Sequence, residues 1–256
     1  MTARSITRSL FACALLATAV AAGAAAAADL YDTALANPAR SANDLKRDPA
    51  DHPAELLRLA GIKPGMQVAD FMAANGYWTE ILSNVVGPKG HVLMLNNAAY
   101  DAFSPGWEKR VANNRLPNVE HRTVDLADMK LGTGTLDAVL MIKVYHDLYW
   151  VDPKGEWPKI DVPKTLDQIA RALKPGGVLL LVDHSAKAGT GSSAASPLHR
   201  IEESYAKQDF ESRGLELVAH SDALRRPDDK RELLSYEGPG AGKTDRFALV
   251  FRKRAK

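Results

Sequence analysis

The chain has 256 residues, 46% hydrophobic and 25% charged, a balance that excludes collagen-like, coiled-coil and wholly disordered proteins. Lys and Arg number 33 against 31 Asp and Glu, and two of the basic residues, Arg4 and Arg8, belong to an N-terminal leader. The rest is charge-balanced, which gives no electrostatic basis for binding nucleic acid.

Arg4 and Arg8 form a short positive region, Leu10 to Ala22 is apolar, and Ala24 to Ala28 offers an A-x-A cleavage site before Asp29. This is the pattern of a secretory signal peptide over residues 1–28, leaving 29–256 as a single domain. No stop-transfer flank follows, so no stable membrane anchor is expected after cleavage. The one cysteine, Cys13, lies inside the leader. The mature chain then has no disulfide, no thiol nucleophile and no Cys-ligated zinc, and an exported Ala- and Arg-rich chain is expected to be periplasmic or secreted from a bacterium.

After a polar segment from Ser41 to Asp51, Pro53 to Ala60 reads as a short amphipathic helix. Apolar runs at Gln67 to Met72, His91 to Asn96, Val119 to Asp125, Leu136 to Val144 and Gly177 to His184 read as buried strands. Helical patterns separate most of them: Trp78 to Val86, the segment around Trp107 to Asn114, and Val162 to Leu173. This alternation predicts an α/β fold with a mostly parallel, doubly wound sheet. Two last strands, Leu215 to His220 and Arg246 to Arg252, can pair antiparallel at one edge. Gly189 to Ser196 reads as a mobile loop of low complexity.

Ligands of such sheets bind where the strands' carboxyl ends meet loops and helix N-termini. Those ends deliver Asp70 with Met72 to Gly76, then Asn96, then Asp125. The fourth delivers Lys143, Tyr145, His146 and Asp147, and the fifth Asp183 and His184. Strands made of Val, Leu, Ile and Met turn polar at one edge only, which marks a ligand site there.

The segment Ala60 to Asn96, containing VADFMAANGYWTEIL, together with LKPGG at Leu173 to Gly177, resembles the class I S-adenosylmethionine-dependent methyltransferases. Arg47-Asp48, His52-Pro53, YHD at Tyr145 to Asp147, HRIEE at His199 to Glu203 and TDRF at Thr244 to Phe247 are similar to a group of exported predicted methyltransferases. The resemblance implies a Rossmann-like, seven-stranded sheet with the last strand inserted antiparallel, and S-adenosyl-L-methionine as cofactor. It implies cofactor contacts from Asp70, Ala74, Gly76, Asn96 and Asp125. Met72 and Ala74 stand where the family has glycine, and Asn96 stands where it has a carboxylate for the ribose.

Gly238 to Thr244 has the look of a phosphate-binding loop, but its glycines are one residue too close and a strand follows, so it reads as a connection. His146, Asp147, Asp183, His184 and His199 have no H-E-x-x-H-type pairing, so no metal is expected. His146 or His184 is the expected base, oriented by Asp147 or Asp183. Tyr145, Tyr149, Trp150 and Trp157 are expected in a lid over an apolar or planar small-molecule substrate. The leading reading is an exported methyltransferase acting on a small molecule; the rival is a non-catalytic ligand-binding protein on the same scaffold.

Overall fold

The computed structural model describes residues 29–255; the signal-peptide expectation lies outside them. Two helices, α1 (Leu30–Leu35) and α2 (Ala42–Asp51), precede α3 (Pro53–Ala60). The central sheet then follows: β1 (Gln67–Phe71), α4 (Tyr77–Val86), β2 (His91–Asn96), α5 (Ala98–Phe103), α6 (Trp107–Val111), β3 (Val119–Thr123) and β4 (Leu136–Ile142). The second half adds α7 (Val162–Ala172), β5 (Leu173–His184), α8 (Ala195–Leu198), α9 (Glu203–Glu211), β6 (Leu215–Ser221) and β7 (Arg246–Lys253).

The seven strands lie in the order β3-β2-β1-β4-β5-β7-β6. The first five pair parallel, and β7 runs antiparallel between β5 and β6. Side chains alternate along each strand, so the two faces bury separate cores. Phe71, Leu95, Met141, Leu181 and Leu249 pack on the face of α7 and α9. Val68, Val92, Leu140, Leu180 and Val250 pack on the face of α1, α3 and α4. Strands this apolar on both sides need helices on both sides, which is the doubly wound arrangement. The chain reverses its direction of travel across the sheet between β1 and β4, and there the carboxyl ends open a crevice.

Where the sequence showed only polar residues, Ser41 to Asp51, the chain forms α2, with Ser41 Oγ accepting from the Asp44 N–H at 3.1 Å. Asp44, Asp48 and Asp51 share one face of α2 at i, i+4 and i+7 spacing and point inward, meeting Arg110, Arg40 and Arg246. Gly189 to Ser196 is tied down, since Glu202 Oε2 accepts from the Gly191 N–H at 2.7 Å and α8 begins at Ala195. Gly238 to Thr244 is a connection between β6 and β7, as the glycine spacing predicts. No helix among the described residues is long and apolar enough to cross a membrane.

Candidate active site

The turn after β1 keeps the shape of a glycine-rich loop with few glycines in it. Met72, Ala74 and Gly76 have φ of 52°, 54° and 80°, left-handed values that cost a residue with a Cβ about 1 to 2 kcal/mol. Gly76 has a second constraint: a Cβ there would stand 2.8 Å from Arg110 Cδ and 2.9 Å from Met94 Cε. Asn96 holds the turn in place, accepting from the Ala74 N–H and donating to the Ala74 carbonyl, both at 3.0 Å, and donating to Asp101 at 2.7 Å. Its amide is thereby spent inside the protein, where the sequence implied a ribose contact. Met72 is 2% exposed and packs into the core beside Phe71 and Leu95.

Asp70 is buried, and its carboxyl accepts from Thr79 Oγ1 at 2.6 Å. Burial pushes it up to about 6, against the pull of Thr79 and of the Arg47 and Arg110 charges. A cavity of about 140 Å³ lies beside Asp70, Met72 and Ala74 and is also lined by Trp78, Arg47 and Lys143. A second, of about 560 Å³, is lined by Asn97, Val124, Asp125 and Leu126. Asp125 caps the turn that follows it, accepting from the Ala127 N–H at 2.8 Å.

The largest cavity, about 760 Å³, opens at the carboxyl ends of β4 and β5. His146, Asp147 and His184 all line it, so the structure brings the expected catalytic residues together. His146 Nδ1 donates to Asp183 Oδ1 at 2.6 Å, and its Nε2 stands 3.1 Å from Asp147 Oδ1. Burial disfavours charge on this ring, but Asp147 and Asp183 outweigh it and push His146 up to about 10. With both nitrogens facing carboxylates, the His146 ring is fixed in place and holds its proton more tightly than a free imidazole does. His184 differs, sharing only Nδ1, with Thr244 Oγ1 at 2.7 Å. Burial, helped by the charges of His146, Lys143 and Arg246, keeps His184 well below the usual histidine range, so its ring is neutral.

Trp150 and Trp157 line this cavity as expected of a lid. Tyr145 and Tyr149 do not; their hydroxyls donate to Asp209 on α9 at 2.6 and 2.8 Å, and their rings join the core on the α7 and α9 face of the sheet. Sequence reasoning missed Tyr100, which donates to Asp147 Oδ2 at 3.1 Å, and Tyr236, whose ring lies 4.7 Å from His199. It also gave no role to Lys143, which has a left-handed φ of 60° and reaches Asp51 at 3.4 Å. Burial lowers this lysine to about 8. A basic residue at a strand's carboxyl end was the available signal.

A family model described as a methyltransferase domain matches residues 43–220. The chain belongs to that methyltransferase family. It is 25% identical over 163 residues to the ubiquinone/menaquinone biosynthesis C-methyltransferase UbiE of Vibrio campbellii, a match covering 63% of this chain and 55% of that protein. The chain thus spans about half the length of this curated relative. Among solved structures, a SAM-dependent methyltransferase from Aquifex aeolicus superposes with a TM-score of 0.58 at 21% identity, covering 81% of this chain and 92% of that one. The [4+2]-cyclase SpnF superposes at 0.57 with 13% identity and 81% coverage of each chain. Likeness at these identities shows the fold.

S-adenosylmethionine is the cofactor of this family, and the residues present fit it. Four side-chain donors among the described residues are buried without a partner, and two of them face this part of the site: Trp78 Nε1, whose residue lines the cavity beside Asp70, and Asn97 Nδ2, whose residue lines the cavity beside Asp125. A buried donor left unpaired costs about 1 to 3 kcal/mol, which a ligand with acceptor atoms recovers.

Proposed function

We propose that the protein transfers a methyl group from S-adenosylmethionine to a small planar acceptor seated in the histidine-lined cavity. One observation carries this reading: Arg47, Tyr100 and Lys143 line both the cavity beside the β1 turn and the large cavity, so the two spaces share a wall. The bound cofactor supplies an electrophilic methyl group. Trp78, Arg47 and Lys143 would hold its amino-acid end, and Asn97 and Asp125 its nucleoside. Trp150, Trp157 and Tyr236 offer flat apolar surface to the acceptor, and Lys143 and Arg246 offer charge to an oxygen that loses its proton. His184, neutral and with Nε2 unpartnered among the described residues, receives that proton.

Screening acceptors with labelled cofactor, then measuring single-turnover rates, tests this assignment. His184→Ala should lower turnover about 10²- to 10⁴-fold and leave cofactor affinity within a few-fold. Unchanged turnover in a folded variant would remove His184 from the chemistry. Export is part of the proposal, supported by Arg4, Arg8 and the alanine-rich run to Ala28. N-terminal sequencing of the cell-envelope fraction should find a start between Ala26 and Asp29; intact Met1 on an abundant cytoplasmic product would refute export.

A further inference from the structure

The floor of the large cavity holds more ligand chemistry than a proton transfer requires. His146 Nε2 and His199 Nδ1 converge on one oxygen, Asp147 Oδ1, at 3.1 and 3.3 Å. All three atoms lie within 4.8 Å of one another. Ligand atoms about 2.1 Å from a common centre stand about 3.0 to 3.4 Å apart along the edges of an octahedron or tetrahedron, which matches the two short separations.

The surroundings hold each of these groups in that orientation. Asp183 takes the other nitrogen of His146, and is itself fixed by the N–H groups of His146 and His184 at 2.9 and 2.7 Å. A carboxylate behind an imidazole in this way sets the tautomer and plane of a metal-binding histidine. Tyr100 fixes the second oxygen of Asp147, and the His199 ring is flanked by Trp150 at 5.0 Å and Tyr236 at 4.7 Å. A divalent ion that displaces the proton from His146 Nε2 would leave both imidazoles neutral and balance both buried carboxylates, Asp147 and Asp183.

We propose that His146, Asp147 and His199 bind one divalent transition-metal ion, of the zinc, iron(II) or manganese(II) class. Two imidazoles and one carboxylate favour these ions over magnesium and calcium, which prefer sites made of oxygen. The open coordination positions face the aromatic cavity, so the ion takes a small aromatic ligand through an oxygen substituent and stabilises that oxygen without its proton. The site stands on these ligand atoms and would bind its ion with or without methyl transfer.

The test treats the purified protein with chelator, removes the chelator, and titrates with Co²⁺ followed by visible absorption and with Zn²⁺ followed by calorimetry. One ion per chain is expected, with a cobalt d–d spectrum that is absent in His199→Ala. Asp183→Asn, which would not touch the ion, should weaken binding about 10- to 100-fold. Circular dichroism and melting curves establish that each variant is folded; if His199→Ala fails to fold, the Asp183→Asn shift decides. Absence of stoichiometric binding by the wild type, or equal affinity in a folded variant, would overturn the site. A bound ion in a protein that transfers no methyl group would overturn the functional reading and leave the metal site standing.

Discussion

Asp70 sits at the point where the sheet meets the left-handed turn after β1, and its chemistry makes folding sensitive to pH. The ordinary value of 3.8 is raised to about 6 by burial, so the folded protein binds this proton more tightly than the unfolded chain does. Its contribution to stability is therefore fully present below about pH 4 and is lost as pH rises from about 4 to 6. Spread over that window the loss is about 3 kcal/mol, from roughly 1.4 kcal/mol per unit. Asp70→Asn should be more stable relative to wild type at pH 8 than at pH 4, measured by urea unfolding at each pH; a constant difference would contradict the assignment. Asp70 and Gly76 were legible from the sequence because a motif fixes their backbone positions. Asn96 was not, because an amide can serve a ligand or its own backbone equally well, and only the neighbouring Ala74 decides which.

At the scale of elements, α2 shows what periodicity can hide. Its sequence, ANDLKRDPAD, has almost no apolar residues, so a search for a hydrophobic stripe finds none. The inward face is acidic instead, and each acid meets a cation from elsewhere in the chain. Asp48 accepts from Arg40 and from the Tyr77 hydroxyl, each at 2.7 Å, and Asp51 accepts from Arg47 at 2.5 Å and Arg246 at 2.6 Å. Lys143 completes the cluster, joining α2 to the ends of β4 and β7 along one wall of the large cavity. The central strands β1, β2, β4 and β5 and helices α3, α4 and α7 were readable because each buries apolar residues; α5, at six residues, is too short to show a stripe. Asp51→Ala would leave three partly buried cations without their shared carboxylate, at a cost of about 3 to 5 kcal/mol. Thermal unfolding should show Tm lower by roughly 10 °C. A change within 2 °C would mean that α2 docks by other contacts.

For the whole molecule, the architecture carries family membership but does not choose the reaction, as the cyclase of the same fold illustrates. What distinguishes this chain is local: a glycine-type turn built with Met72 and Ala74, an internal Asn96, and unpaired donors on Trp78 and Asn97. The cavities they line frame the carboxyl ends of β1 to β3, while the histidine cavity occupies those of β4 and β5. The central claim is that the first set takes S-adenosylmethionine. Calorimetric titration of the purified protein with S-adenosylmethionine measures it most directly. The account predicts one cofactor per chain, bound at least about tenfold more weakly when Asn97→Ala or Trp78→Phe removes an unpaired donor, since the loss of a buried hydrogen bond is worth about 1.4 kcal/mol or more. No binding by the folded wild type, or affinity unchanged in both variants, would contradict it and favour a scaffold that holds a different ligand.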